Sequence, residues 1–203
     1  MKRFALYTLL SSAAFLTSCG KQLEQVPSSS RAEDQSIETV SDLKLAVNGV
    51  YAALNNQFGY SGETALYADA KGGDIKAIST GNNQTLTLHT FRTDKNSSIS
   101  DGAYQVFSTV SGRVNNILKY APSIAESAPQ ADKARAKAYI GQLYALRGLA
   151  HLELARLYCY IPSSGVNVDA KYSGIPIINQ VFPRTHQFQR STIRETYDFL
   201  ISD

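Results

Sequence analysis

The amino-acid sequence predicts an all-α fold of layered helix pairs joined by long irregular loops. Apolar residues recur at spacings of three and four along most of the chain, which places them on one face of a helix. One long segment carries two such apolar stripes, and a helix with two buried faces needs neighbours on both sides. The composition, 43% hydrophobic and 18% charged, is typical of a chain that folds.

The N-terminus has the pattern of a bacterial lipoprotein leader. Lys2 and Arg3 precede a mostly apolar run over residues 4–16, and Leu-Thr-Ser-Cys follows at 16–19. As a helix that run would be about 20 Å long, too short for a hydrocarbon core of about 30 Å, so it predicts a secretory leader and not a transmembrane helix. The ending resembles a lipobox; the alternative is a chance cysteine beside an ordinary leader. We therefore expect residues 1–18 to be a lipoprotein signal peptide and Cys19 to be the acylated residue that anchors the mature chain in the bilayer.

A polar segment separates this anchor from the helical part of the chain. Residues 19–38 include three consecutive serines, which is typical of a flexible tether, and residues 39–203 are expected to form the folded domain. Removing Lys2 and Arg3 reduces the 20 basic residues to 18, which face 17 acidic ones and leave a net charge of +1. A chain so nearly neutral lacks the concentrated basic surface of a nucleic-acid-binding protein, so we expect no nucleic acid partner.

The residue patterns of common enzymes and metal sites are absent from the sequence. The histidines, His89, His151 and His186, have no second ligand at metal-binding spacing. Gly72-Gly73-Asp74 lacks the lysine of a phosphate-binding loop and predicts a turn, and no Gly-x-Ser-x-Gly elbow occurs. We therefore expect a protein that is not an enzyme and needs no metal or cofactor.

Two helices are predicted before residue 122. The first begins with Thr39 or Ser41 as its N-cap and ends at Gly59, and the second ends at Pro122. Their apolar stripes are Leu43, Val47, Val50, Leu54 and Phe58 in the first, and Ala103, Phe107, Val110, Val114, Ile117 and Ala121 in the second. Residues 72–100 between them are rich in Gly, Asn, Ser and Thr and predict a long loop with a short strand at 85–91. Loops of this length are commonly functional.

The longest helix is predicted over residues 132–160. Its larger apolar stripe consists of Leu143, Leu146, Ala150, Leu154 and Leu157, and its small-residue stripe consists of Gly141, Ala145, Gly148, Leu152 and Ala155. Small side chains let a neighbouring helix approach closely, so both stripes are expected to be buried between other helices.

A final helix is predicted after an irregular stretch that follows Pro162. Thr192 and Glu195 form a capping box at its start. Its apolar face consists of Ile193, Tyr197, Leu200 and Ile201, and no Gly or Asn C-cap follows. We therefore expect the sequence to be the first part of a longer protein.

Six short phrases, spread along the chain, together resemble one known family. They are the lipobox at 16–19, Asn48-Gly49-Val50-Tyr51-Ala52-Ala53-Leu54, Tyr104 through Asn116-Ile117-Leu118, Leu146-Arg147-Gly148 to Leu157-Tyr158, Gly174-Ile175-Pro176-Ile177-Ile178, and residues 190–203 beginning Arg190-Ser191-Thr192. Each phrase is weak alone, but their common order resembles that of the starch-utilisation-system D family (SusD/RagB). Two positions depart from the family pattern: Cys159 stands where a glycine is common, and Tyr104 stands where a tryptophan is common.

The resemblance implies both an architecture and a function. The implied fold has tetratricopeptide-like helix pairs, and the implied protein is a lipid-anchored, surface-exposed lipoprotein of the outer membrane. It would bind a nutrient oligosaccharide or peptide and deliver it to a TonB-dependent outer-membrane transporter, over which it sits. The alternative function is a tetratricopeptide-like envelope lipoprotein that acts as a protein–protein scaffold. An enzyme is a distant third hypothesis.

Aromatic residues on or near loops are the candidates for ligand binding, because flat rings stack on sugars or cover peptide side chains. Tyr60, Tyr67 and Phe91 are those candidates, and core packing is the alternative role for each. Arg147 is the one charge in the middle of the long helix's apolar region. It either contacts a ligand or the transporter, or it pairs with a carboxylate or helix-end carbonyls of a neighbouring helix.

The leader interpretation generates a direct test of anchorage. We expect Cys19→Ala to leave an uncleaved or soluble product, because the acyl chains attached at Cys19 supply the membrane affinity, at about 0.8 kcal/mol per buried CH₂. Detergent partitioning and metabolic labelling with a fatty-acid probe measure the difference. A wild-type protein that takes up no label would contradict the lipobox assignment.

Overall fold

A computed structural model describes residues 36–76, 78, 86–94 and 98–203 of the chain. The expected signal peptide, Cys19 and nearly all of the expected tether lie outside these residues. The described helices are α1 (Val40–Leu54), α2 (Glu63–Gly72), α3 (Leu86–His89), α4 (Ser98–Leu118), α5 (Ala121–Ser127), α6 (Gln130–Tyr158) and α7 (Ile193–Ser202), with a 3₁₀ turn at Pro162–Ser164. Every regular element in the described part of the chain is helical, which confirms the all-α prediction.

Helices α1, α4 and α6 pack against one another around the main apolar core. The predicted stripes of all three helices meet there; Phe107 of α4, Leu43 of α1 and Leu143 of α6 are each fully buried. A second, smaller core joins α5 to α6 through Ile124 and Ala136. Helix α7 packs against a further face of α6, so α6 has neighbours on more than one side, as layered helix pairs require.

The capping interactions of α1 settle where it begins. The Thr39 side chain accepts a hydrogen bond from the Asp42 backbone N–H at 3.1 Å, and the Asp42 carboxylate accepts one from the Thr39 backbone N–H at 3.0 Å. Thr39, and not Ser41, is therefore the N-cap. The helix ends at Leu54, before the predicted stop at Gly59, and the Phe58 ring instead packs over Gly102 of α4, where a Cβ atom would collide with it.

Two local predictions were wrong. Residues 86–89 form the short helix α3 and not part of a strand, because helical turns satisfy their backbone groups without a partner strand: Thr90 N–H donates to Leu86 O at 2.9 Å and Arg92 N–H to Thr87 O at 2.8 Å. Pro122 does not end α4, which stops at Leu118. It lies in the first turn of α5, where its missing N–H costs nothing.

The small-residue stripe of α6 is only partly buried. Gly148 lies directly under α7, and Ala155 is buried as well, as predicted. Gly141 and Ala145 are exposed, contrary to the prediction. The reason is length: α7 has 10 residues and spans about 15 Å, whereas the 29 residues of α6 span about 43 Å, so α7 covers only part of the stripe.

A buried polar junction fixes α7 on α6. The guanidinium of Arg147 donates to both carboxylate oxygens of Asp203, at 2.6 and 2.7 Å, to Asn115 Oδ1 at 2.6 Å and to the Asn179 carbonyl at 2.9 Å. Both side chains of the Arg147–Asp203 ion pair are more than nine-tenths buried. The interhelical interpretation of Arg147 is thus confirmed, and its side chain also reaches the irregular segment before α7.

His151 connects the same irregular segment to α6. Its Nδ1–H donates to the Arg147 carbonyl at 2.8 Å, and its Nε2 accepts from the Ile178 backbone N–H at 3.0 Å, which requires the neutral ring. Burial lowers the pKa of His151, which favours that neutral form. The Phe199 ring of α7 meets the imidazole edge-on, with 4.8 Å between centroids.

The start of α7 also matches its sequence signal. Thr192 and Glu195 form the predicted capping box, and Ile193 is buried. The predicted apolar face is nevertheless incomplete, because Ile201 is exposed and the polar Thr196 takes a buried position. The Thr196 hydroxyl accepts a hydrogen bond from the Ile175 N–H at 3.2 Å, which joins α7 to the chain that precedes it.

The close contact at Gly148 predicts the effect of a larger side chain there. A Cβ atom at this position would lie 3.1 Å from the Leu200 carbonyl oxygen, so Gly148→Leu should force α7 away and lower the free energy of unfolding by about 1–3 kcal/mol or more. Gly141→Leu on the same helix is the matched control. No atom lies within 4 Å of a Cβ there, so its better helix propensity should raise the stability by up to about 1 kcal/mol. Equal denaturation midpoints for the two variants would contradict this packing.

Candidate functional site

Two of the three predicted ligand-binding aromatics come together around one lysine. The Lys71 ammonium nitrogen lies 4.5 Å from the Tyr67 ring centroid and 5.8 Å from the Phe91 ring centroid. It also donates a hydrogen bond to the Tyr67 hydroxyl at 2.7 Å. We call Tyr67, Lys71 and Phe91 the α2–α3 site. Lys71 was not predicted from the sequence, although its position four residues after Tyr67 places both on one helix face.

Packing between α2 and α3 brings the site together. Leu88 of α3 and Ala70 of α2 are both buried in a small apolar cluster, and His89 Nδ1 lies 3.3 Å from the Ala70 carbonyl oxygen. Helix α2 ends where Gly73 adopts a left-handed conformation, with φ of 91°. Only glycine adopts such a φ without strain, and the Gly72-Gly73-Asp74 turn is therefore confirmed.

Phe91 is an exposed aromatic residue at the end of α3. The residue is 68% exposed. Its backbone φ is 54°, in the left-handed region. This conformation ends α3 as a Schellman motif, since the Phe91 N–H donates to the Leu88 carbonyl at 3.0 Å and the Arg92 N–H donates to the Thr87 carbonyl at 2.8 Å. The helix end thus places an exposed aromatic ring near Lys71.

Tyr60 does not belong to this site. Its hydroxyl donates to the Glu153 carboxylate at 2.9 Å, and its ring meets Phe107 edge-on, with 6.0 Å between centroids. Burial raises the pKa of the Tyr60 hydroxyl well above its usual range, and the hydrogen bond to Glu153 adds to the rise. Glu153 is in turn paired with Arg156 at 3.0 Å. These contacts support the packing role for Tyr60.

A pair of tyrosines joins the two long helices. Tyr104 of α4 and Tyr158 of α6 meet edge-on, with 5.7 Å between ring centroids. Burial raises the pKa of the Tyr158 hydroxyl, and the nearby Tyr67 raises it further. Tyr67 is itself half-buried, so Phe91 is the exposed ring of the α2–α3 site.

The site's chemistry suits stacking better than catalysis or metal binding. Aromatic rings, a hydroxyl and an ammonium group offer flat apolar faces and hydrogen-bond donors. The described residues contain no cluster of three or more His, Cys, Asp or Glu side chains that could hold a metal ion. Nor does any helix in that part of the chain have the length and apolar character needed to cross a membrane.

Sequence comparison identifies one matching family. The SusD-like_3 family model, described as "Starch-binding associating with outer membrane", matches residues 22–203. No curated protein sequence matches the chain.

Solved structures share this fold. A SusD superfamily protein from Bacteroides vulgatus superposes with a TM-score of 0.70 at 23% identity, over 82% of this chain and 36% of that one. A SusD superfamily protein from Bacteroides thetaiotaomicron superposes with a TM-score of 0.68 at 20% identity, over 81% of this chain and 35% of that one. A SusD-like carbohydrate binding protein from Bacteroides vulgatus superposes with a TM-score of 0.65 at 22% identity, over 82% of this chain and 34% of that one. The chain therefore spans about a third of the length of these relatives.

Proposed function

The chain belongs to the SusD-like family, and we propose on that premise that it binds oligosaccharides at the bacterial surface and delivers them to a TonB-dependent outer-membrane transporter. The observation that carries this proposal is the α2–α3 site, where the exposed Phe91 ring stands beside Tyr67 and Lys71. The family's description as starch-binding supports a binding role over a catalytic one.

Stacking on aromatic rings is the physical basis of the proposed sugar recognition. A pyranose ring presents a face of C–H groups that packs on an aromatic face, while its hydroxyls need hydrogen-bond partners at the edge. Phe91 supplies the exposed face. The Lys71 ammonium already donates one hydrogen bond to the Tyr67 hydroxyl, so it has two further N–H donors for a ligand.

The proposed lipid anchorage rests on the N-terminal leader, and the proposed delivery to a transporter rests on the family. We propose that Cys19 carries the acyl chains, that residues 20–38 act as the tether, and that the helical domain faces the exterior. The family's description as associating with the outer membrane supports this location. A transporter partner is part of the proposal because a lipid-anchored protein that only binds a nutrient does not move it across the membrane.

Two alternatives differ from this proposal in what they would bind. A peptide ligand would use the same aromatic faces, and comparison of peptide with glycan ligands separates the two. A scaffold lipoprotein would bind another protein through its helix layers and would leave the α2–α3 site without a ligand. The exposure of the Phe91 ring beside Lys71 favours ligand binding over the scaffold.

The proposed function predicts that Phe91 contributes directly to affinity. Phe91→Ala should weaken oligosaccharide binding by about tenfold, equivalent to about 1.4 kcal/mol, because the stacking face is lost. The melting temperature should not fall, since the ring is mostly exposed. Isothermal titration with maltose-, cellulose- and xylan-derived oligomers measures the affinity, with matched tests of short peptides.

Tyr160→Ala is the matched control for this measurement. Tyr160 is 73% exposed but lies outside the α2–α3 site, so its loss should leave the affinity unchanged. Unchanged binding of every ligand by both Phe91→Ala and Tyr67→Ala would rule out this site.

A further inference from the structure

A cavity lies between α4 and the segment that precedes α7. Its volume is about 570 Å³, within the range of about 300–1,000 Å³ found for small-molecule sites. Residues of α4 line one side, and residues 178–188 line the other. We call this cavity the α4 groove.

Three aromatic rings form one wall of the α4 groove. Phe182 and His186 are stacked, with 4.3 Å between centroids and 23° between planes. Phe188 meets both of them edge-on, at 5.0 and 4.6 Å. The cluster is not closed off as a core would be, since Phe188 remains 46% exposed and His186 is exposed as well. It therefore offers aromatic faces to a ligand in the groove.

Polar side chains of α4 line the groove opposite the rings. Gln105 and Thr109 line it and are exposed, so their hydrogen-bonding groups are open to a ligand. Ser108 and Asn116 line it as well, but the Ser108 hydroxyl oxygen and the Asn116 side-chain oxygen are buried beneath the surface.

The wall that carries the rings is held in place by α4 itself. The amide nitrogen of Asn115 donates to the Ile178 carbonyl at 2.9 Å and to the Gln180 carbonyl at 3.0 Å. Asn115 is buried, and its side-chain oxygen accepts from the buried Arg147. The start of the segment that bears the aromatic rings is thus fixed to the helix, so the groove is formed without a ligand.

We infer that the α4 groove is a second oligosaccharide-binding site, distinct from the α2–α3 site. A sugar ring would stack on the Phe182–His186–Phe188 wall, and its hydroxyls would bond to the exposed polar side chains of Gln105 and Thr109 on α4. None of the described residues that line the groove is acidic, whereas Arg184 and His186 do line it. Both neutral and acidic oligosaccharides are therefore compatible with its charge. The inference rests on the proposed function for its ligand class, but on different residues.

The experiment measures binding in the Phe91→Ala background, where the α2–α3 site is disabled. Isothermal titration with maltose-, cellulose- and xylan-derived oligomers and with galacturonate oligomers should show a remaining site. Adding Phe188→Ala should weaken that site at least about tenfold. Thr109→Val should also weaken it while leaving the melting temperature unchanged, because the variant removes an exposed hydroxyl from the groove and keeps the side-chain shape.

Each outcome separates the second site from the proposed function. Loss of all binding in Phe91→Ala, with wild-type affinity in Phe188→Ala and Thr109→Val, would overturn the α4 groove and preserve the proposed function. Loss of affinity in the groove variants, with unchanged affinity in Phe91→Ala, would support the groove and overturn the α2–α3 site. Absence of binding by the wild-type protein to every oligomer would overturn both. Tyr160→Ala again serves as the exposed aromatic control.

Discussion

The structure depends most on the pairing of one buried charge. A guanidinium placed in the core must find a counter-charge and acceptors there, because an unpaired buried charge costs several kcal/mol. Arg147 finds them in Asp203, Asn115 and the Asn179 carbonyl. Satisfying this one side chain therefore fixes α7, α4 and the segment between α6 and α7 to the middle of the longest helix.

The two candidate sites differ in the contacts that hold them together. The α2–α3 site depends on local packing between two short helices. The α4 groove depends on the Arg147 junction, since Asn115 bonds both to Arg147 and to the backbone beside the aromatic wall.

The sequence predicted those features that depend on neighbours along the chain. Helical periodicity located the three long helices, and a capping box located Thr192, whereas the sequence left Thr39 and Ser41 as alternative N-caps of α1. It also selected Tyr67 and Phe91, because each lay at or near a polar loop. The sequence did not predict features that depend on contacts between distant parts of the chain. The exposure of Gly141 depends on the short length of α7, and the α4 groove depends on an irregular segment that folds back onto α4. That segment has no periodicity, so only its three-dimensional contacts bring Phe182 and Phe188 together.

Hydrogen exchange in Arg147→Met tests most directly whether this junction organises the fold and the α4 groove. Methionine keeps much of the side-chain length but removes the charge. We expect amides of residues 174–180 and 193–202, including the Ile178 N–H bound to His151, to exchange at least about tenfold faster, because α7 and the segment lose their common anchor. Residues 40–54 of α1 should keep wild-type protection. An equal increase of the amide exchange rate in all three regions, or no increase in any of them, would contradict the account.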